Sequence, residues 1–419
     1  MDDTYLFRLA DDTLEEKLSH ARAVVVRGPK WCGKTMTSER HAKSALYLQD
    51  PREAQRIQLA VRVDPSLLLD GERPRLIDEW QDAPQLWDAV RFDSDRARAP
   101  GQFILTGLAT PGETPMHSGT GRFSFLDMRP MSLYESGEST GQVSLRTLLD
   151  GGEIRGLSDS SLEDVTYAIC RGGWPAAVTE GGEPALETAY DYVAAVAEGD
   201  ISRADGVRRN AEYARLVMAA YARCTATMAD IETVRRNIRT QRGEIARNTV
   251  DSYISALRRL YVFEDLRAWR PSLRSKARIA TTPTRHYVDP SLAVAAMGAS
   301  PKILLKDIST LGLLFESLCV RDLRIYAEYL KGGLLRYHDQ SGLEADAIVT
   351  MRDGRWGAVE VKLGEGLVED GAESLQKVAR KVDHDIMGAP SFLAVIVPSG
   401  YAYRRDDGIY VVPITCLKP

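Results

Sequence analysis

Cysteine is scarce in this chain. Cys32, Cys170, Cys224, Cys319 and Cys416 are spread over 419 positions, and no two have CxxC spacing. That pattern excludes a disulfide framework and a cysteine-built zinc site. The six histidines show no ligand spacing either, and His384, between Asp383 and Asp385, reads as a solvated side chain. An overall excess of positive charge is also missing. The formal net charge is −5, so any grip on nucleic acid must come from a local patch. No stretch reaches the roughly 18 uncharged apolar residues of a membrane helix. The opening Met1-Asp2-Asp3-Thr4 is acidic with no apolar run behind it. No signal peptide is expected, and a reducing cytoplasm is the expected compartment.

What is present is ordinary globular material, 44% hydrophobic and 27% charged. At 419 residues the chain has room for about two to four domains. Short apolar runs at Ala23–Val26, Ala45–Leu48, Leu76–Ile77 and Phe103–Thr106 alternate with helical stretches, which predicts a parallel sheet with crossovers. Residues 109–121 are rich in Gly, Ser, Thr and Pro and read as a loop, and Arg122–Met128 resumes as a strand. From about 155 to 265 the pattern is helical, and strands return at 345–350, 356–362, 392–397 and 408–413. The order is therefore α/β, then α, then α/β.

Gly28-Pro29-Lys30-Trp31-Cys32-Gly33-Lys34-Thr35 matches GxxxxGK[ST], with an apolar strand before it and a helix after it. The glycines let backbone N–H groups turn inward around phosphate oxygens, and the helix N-terminus adds partial positive charge. Lys34 is placed to reach the β- and γ-phosphates of ATP, and the Thr35 hydroxyl to ligate Mg²⁺. Cys32 is read as a small residue that fits the loop. Arg75-Leu76-Ile77-Asp78-Glu79 ends a short strand with two acids. Asp78 would hold Mg²⁺ through water, and Glu79 would orient the attacking water. Thr106 ends the strand Phe103–Thr106, where AAA-type ATPases place a residue that senses the γ-phosphate. Arg122 stands either as an arginine finger or as a structural cation.

Between 231 and 280 there are twelve Lys/Arg against five Asp/Glu, a local net of +7. Within it Val250, Ile254, Leu257 and Tyr261 recur at helical spacing, with Asn248 as the expected N-cap and Asp251 at N3. A short helix, a turn and a second helix ending in Arg258-Arg259 resemble a helix-turn-helix, with Thr282–Asp289 as wing strands. DNA contact through phosphates is one reading, and packing or protein contact the other. Further on, Glu344-Ala345-Asp346 and Glu360-Val361-Lys362 flank a turn at 352–355 and predict a β-hairpin. Glu360 and Lys362 are two apart and share a face. Asp…Glu-x-Lys is the core arrangement of PD-(D/E)XK nucleases, in which carboxylates hold Mg²⁺ and the lysine steers the attacking hydroxide. Glu316, in the helical run 313–325, is a candidate third carboxylate.

In this order the pieces resemble prokaryotic AAA-family ATPases whose C-terminal half is a domain of unknown function joining a winged-helix-like to a nuclease-like part. The marks are Gly28–Thr35, Leu76–Gln81, Phe103–Gly107, Gly121-Arg122, Gly172-Gly173-Trp174-Pro175, Tyr287–Leu292 and the late Asp346 with Glu360-Val361-Lys362. The resemblance implies an AAA-type core over 1–155, a helical lid over 156–215, a winged-helix-like domain over 216–300 and a restriction-endonuclease-like domain over 301–419. It also implies ATP and Mg²⁺ as ligands, with ATP hydrolysis. Leu108 departs from the Ser usual after Thr-Gly. Two functions follow as expectations: an ATPase coupled to a DNA-binding, nuclease-like half, or a nucleotide-gated protein-interaction scaffold.

Overall fold

Ala23-Val24-Val25-Val26 is apolar throughout and mostly β-branched, and it forms the buried strand β1 (Ala23–Arg27) at the centre of a sheet. The structure, a computed structural model, describes residues 5–108, 121–238, 245–271 and 282–419. All but the last residue of the loop read at 109–121, and part of the basic segment, lie outside them. The described chain divides into two units, Met1–Pro130 with Arg259–Tyr261, and Met131–Arg258 with Val262–Pro419.

In the first unit β1 is joined by β2 (Ser44–Tyr47), β3 (Arg75–Asp78), β4 (Phe103–Gly107) and β5 (Phe123–Asp127). All pairs are parallel, in the order β2-β3-β4-β1-β5. Alternate residues feed two cores. Val25, Ile77, Phe103 and Leu105 pack with Trp80, Trp87 and Leu86, and Val24, Val26, Leu76 and Ile104 pack with Leu14 and Leu18. Arg75 does not end the β3 run. It is buried, and its guanidinium donates to the Leu68 carbonyl (3.2 Å) and the Ser44 hydroxyl (3.0 Å). Because β4 lies between β1 and β3, the ends of all three strands meet at one edge of the sheet.

The second unit is built on a seven-stranded sheet. In sequence its strands are β7 (Gly156–Ser158), β8 (Gly332–His338), β9 (Glu344–Met351), β10 (Trp356–Val361), β11 (Phe392–Val397), β12 (Gly400–Arg404) and β13 (Tyr410–Pro413). In space the order is β7-β12-β13-β11-β10-β9-β8. A separate pair joins β6 (Val143–Ser144) to β14 (Leu417–Lys418). The helix Val368–Lys381 buries Val368, Ala372, Leu375 and Val378 against one face of β9, β10 and β11. The boundary expected at 155 thus differs from the observed division. Residues 131–158 pack with the second unit because β6 and β7 pair with strands from the far end of the chain.

The turn Gly172-Gly173-Trp174 belongs to a buried knot in this unit. Arg321 donates to Asp289 (2.7 Å) and Asp322 (2.8 Å). Asp289 also accepts from the Gly173 amide (3.0 Å), and Asp322 from the Leu133 amide (2.9 Å). Trp174 donates to Ser291 (3.0 Å). A Cβ on Gly173 would stand 2.0 Å from the Met131 carbonyl oxygen, so only glycine fits. Asp289 also caps the helix Pro290–Met297, with proline at N1.

The middle of the unit holds helices Ala211–Ala222, Ile231–Arg236 and Arg247–Arg259. Asn248 is not an N-cap, because the last of these helices already includes Arg247. After it the chain pairs antiparallel through Phe263–Tyr287 and Leu266–Thr284. Phe263 and Tyr287 join Tyr221 in one aromatic cluster, the Tyr221 and Phe263 rings stacked with centroids 3.7 Å apart.

Candidate functional site

The phosphate loop leaves the carboxyl edge of β1 and enters the helix Lys34–His41. Gly28 has φ +153°, and a Cβ there would stand 2.0 Å from the Met128 carbonyl oxygen. Gly33, at φ +100°, opens the helix in the left-handed region. Pro29 and Cys32 are buried, Lys30 is partly exposed, and Trp31 is exposed at φ +61°. Lys34 is buried, and its ammonium donates to the carbonyls of Gly28 (3.1 Å) and Pro29 (2.7 Å). The cation is therefore held over the loop's own hollow.

Opposite stands Asp78, at the end of β3. Its Oδ1 accepts from the Thr35 hydroxyl (2.9 Å) and from the Thr106 hydroxyl. Thr106 Oγ1 in turn accepts from the Glu79 amide (3.1 Å). Glu79 adopts φ +57°, a strained setting for a non-glycine residue, and its carboxylate accepts from Gln81. A Cβ on Gly107 would stand 2.2 Å from the Gln81 side-chain oxygen and 3.0 Å from the Trp80 indole nitrogen, so Gly107 packs closely under both. Thr35 and Asp78 thus present adjacent hard oxygens beside a phosphate-sized loop, a donor set that fits Mg²⁺.

Arg122 is not brought to this edge. It directly precedes β5, whose Phe123 pairs with Ala23 at the start of β1, and its guanidinium binds Asp95 (2.8 Å). The phosphate loop lies a strand length away, about 16 Å. The finger reading is replaced within this chain by a structural ion pair. Sequence reasoning missed Arg8, whose buried guanidinium donates to the carbonyls of Cys32 (2.7 Å) and Arg129 (2.7 Å) and so braces the loop from behind. Its only sequence sign is the acid three residues on, Asp11, whose carboxylate accepts from the Arg8 amide (2.8 Å).

The acidic hairpin is the second cluster. The β9–β10 register pairs Ala347 with Val359, so Asp346 and Glu360 face each other one step beyond. Asp346 accepts from the Val361 amide (2.7 Å), and Lys362 donates to Glu360 Oε1 (2.8 Å). Glu360 Oε2 is buried with no partner. Burial, and then the nearby Asp346, push Glu360 up to about 8; burial pushes Asp346 up to about 6. Glu316 is raised well above the carboxylate range by burial and then by Asp346 and Glu360. The four groups therefore lie in one neighbourhood, yet among the described residues no three His, Cys, Asp or Glu form a ready-made metal cage. Two facing carboxylates with an orphaned oxygen fit a Mg²⁺ ion that keeps several waters.

A raised carboxyl binds its proton more tightly folded than unfolded. Its stabilising contribution is whole below the unfolded value near 4.5 and is lost as pH climbs toward about 8. Glu360→Gln is thus expected to match the parent at pH 4 and to exceed it at pH 8 by about 1–3 kcal/mol in urea unfolding. An equal gain at both pH values would contradict the assignment.

The comparisons place these sites in families. Residues 20–137 match the family described as an AAA domain. The first unit carries an AAA-type domain. Residues 162–303 and 311–417 match two families described as domains of unknown function, DUF8612 and DUF4143. Uncharacterized proteins of Mycobacterium tuberculosis and Mycobacterium bovis are 24% identical over 407 residues, covering 96% of this chain and 82% of theirs. A Walker-type ATPase of Pyrococcus abyssi is 12% identical, with a TM-score of 0.44 over 70% of this chain and 97% of its own. The AAA match contains the phosphate loop, Asp78, Glu79 and Thr106, and the DUF4143 match contains the acidic hairpin. No helix among the described residues is long and apolar enough to cross a membrane.

Proposed function

We propose that the AAA-type domain binds ATP with Mg²⁺ and hydrolyses it. The observation that carries this reading is the convergence of the Thr35 and Thr106 hydroxyls on one oxygen of Asp78, beside a loop capped by Lys34. Lys34 exchanges the carbonyls of Gly28 and Pro29 for phosphate oxygens. Thr35 and Asp78 hold the metal, which when bound neutralises charge on the β- and γ-phosphates. Glu79 orients the attacking water. Thr106, bonded to both Asp78 and the Glu79 backbone, ties phosphate occupancy to the position of that base. The test is phosphate release by the whole chain. Turnover is expected with Mg²⁺ and is expected to vanish when EDTA removes the metal. Failure to bind ATP in either condition overturns the reading.

A second reading is that the other unit engages nucleic acid. Its support is the facing pair Asp346 and Glu360 beside Lys362, a nuclease-like arrangement, together with three helices followed by antiparallel pairing, as in a winged helix. Several cations of the basic stretch are already neutralised: Arg235 by Glu232, Arg247 by Asp251 and Arg258 by Asp265. Phosphate contact by the remaining cations gives duplex DNA affinity that falls steeply with salt. No binding at low salt favours the scaffold role, with both folds serving protein contact.

A further inference from the structure

The far edge of the seven-stranded sheet carries an exposed aromatic face that the readings above leave unused. In β12, Tyr401 is 67% and Tyr403 44% exposed, while Ala402 between them is buried. Leu157 of the edge strand β7 lies directly across from Tyr401 and is 48% exposed. One step beyond the pair Ala402–Gly156, the same register sets Arg155 across from Tyr403. Arg155 is exposed, with no ion pair or hydrogen bond among the described residues, and neither tyrosine hydroxyl has a partner there. Together with Gln142 these side chains line an open hollow of about 1020 Å³.

The register links this face to the acidic hairpin. Tyr403 pairs with Val411, Val411 with Val395, and Val395 with Glu360. Residues in one such row project to the same side of a sheet, so Tyr403 and Glu360 share a face. They lie three strand spacings apart, about 14 Å. Tyr401 is two residues along, towards the strand end that carries Lys362. The two rings are spaced by about 6.7 Å along the strand, which admits one base on each. Aromatic rings two apart on a sheet face, beside a free arginine, are a stacking platform with a phosphate contact.

We infer that the exposed face of β7 and β12 binds single-stranded nucleic acid, with Tyr401 and Tyr403 stacking successive bases and Arg155 meeting a phosphate. The inference rests on the nucleic-acid reading of this unit, but not on a path along the sheet to Glu360, because the helix Val368–Lys381 covers Val395 and Val411 in between. Charge favours a strand over a peptide: among the residues lining the hollow the one charged side chain is the cation Arg155, and the face offers two flat rings rather than a deep side-chain pocket.

The test is fluorescence anisotropy of a fluorescein-labelled twelve-residue oligothymidylate with the full chain, in EDTA and low salt. Tyr401→Ala with Tyr403→Ala is expected to weaken binding by about tenfold per ring. Tyr401→Phe with Tyr403→Phe is expected to retain it, because stacking needs the ring and not the hydroxyl. Arg155→Ala is expected to lower the salt slope by about one. ATP turnover and the melting temperature should not move in any of these variants. Parent-like affinity in the double alanine variant, with Lys362→Ala weakened, overturns the inference and leaves the hairpin reading standing. No oligonucleotide binding by the parent overturns both. Capture of a permanently unfolded polypeptide in place of the oligonucleotide overturns it in favour of a peptide groove.

Discussion

Replacing Glu79 by Gln is expected to slow ATP turnover by about 10²–10³-fold while leaving ATP affinity unchanged. The separation follows from geometry. Glu79 holds its place through its backbone, whose amide donates to Thr106 Oγ1 (3.1 Å), so the amide side chain of Gln alters neither strand nor loop. The carboxylate accepts from Gln81 and not from Lys34 or Thr35, the groups that would hold phosphate and metal. On the proposed mechanism, only the water-orienting base is lost. Lys34→Ala is the contrasting case. It removes the one loop side chain that caps the hollow with a cation, and ATP binding is expected to fall about a hundredfold or more, the loss of a buried charge-assisted contact. Titration calorimetry and phosphate release read the two variants apart. Equal turnover in Glu79→Gln removes that residue from the role, and unchanged affinity in Lys34→Ala refutes the phosphate loop itself.

How much of this was legible in the sequence depended on how far apart the partners stand. The strand, loop and helix around Gly28–Thr35 are contiguous, and their chemistry is local, so the letters alone set out the arrangement. The β9–β10 hairpin is also local: its turn and its two-residue period fix which side chains share a face. Arg122 stayed open between finger and structural cation because its meaning depends on which end of a parallel sheet it occupies, and that is set by the register of β5 against β1. Arg8 was invisible because it acts on backbone carbonyls 24 and 121 residues away, which leaves no pattern of residue types. The strands β6 and β7 are two and three residues long. Strands so short carry no periodicity, and pairing with β14 and β12 across most of the chain is a property of the finished fold. Asn248 was misplaced for a smaller reason, a helix that begins two residues earlier than its capping chemistry suggests.

Arg321→Met is expected to destabilise the second unit by about 3–5 kcal/mol, the cost of stripping a buried charge from its partners. The Arg321 and Asp322 side chains are 2% and 0% exposed, and that of Asp289 is fully buried. With the guanidinium gone, two carboxylates remain with no other cation bonded to them among the described residues. Burial already lifts Asp322 to about 6 in spite of Arg321. Each acid also holds a backbone amide from another segment, Gly173 for Asp289 and Leu133 for Asp322. Protonating them to relieve the charge weakens those bonds, so the segments around 133 and 173 loosen together. This makes Gly172-Gly173-Trp174-Pro175 and Asp289-Pro290-Ser291 halves of one joint with a packing role. In calorimetry of the full chain the transition of this unit should fall by roughly 10 °C. Should Arg321→Met fail to fold, Arg321→Lys keeps the charge but loses the two-pronged geometry, and it is expected to fall between parent and Met. The double variant Asp289→Asn with Asp322→Asn removes the carboxylates as well and should recover part of the loss in Arg321→Met. A melting temperature for Arg321→Met within a degree of the parent would show that the knot is held by its apolar contacts and not by these charges.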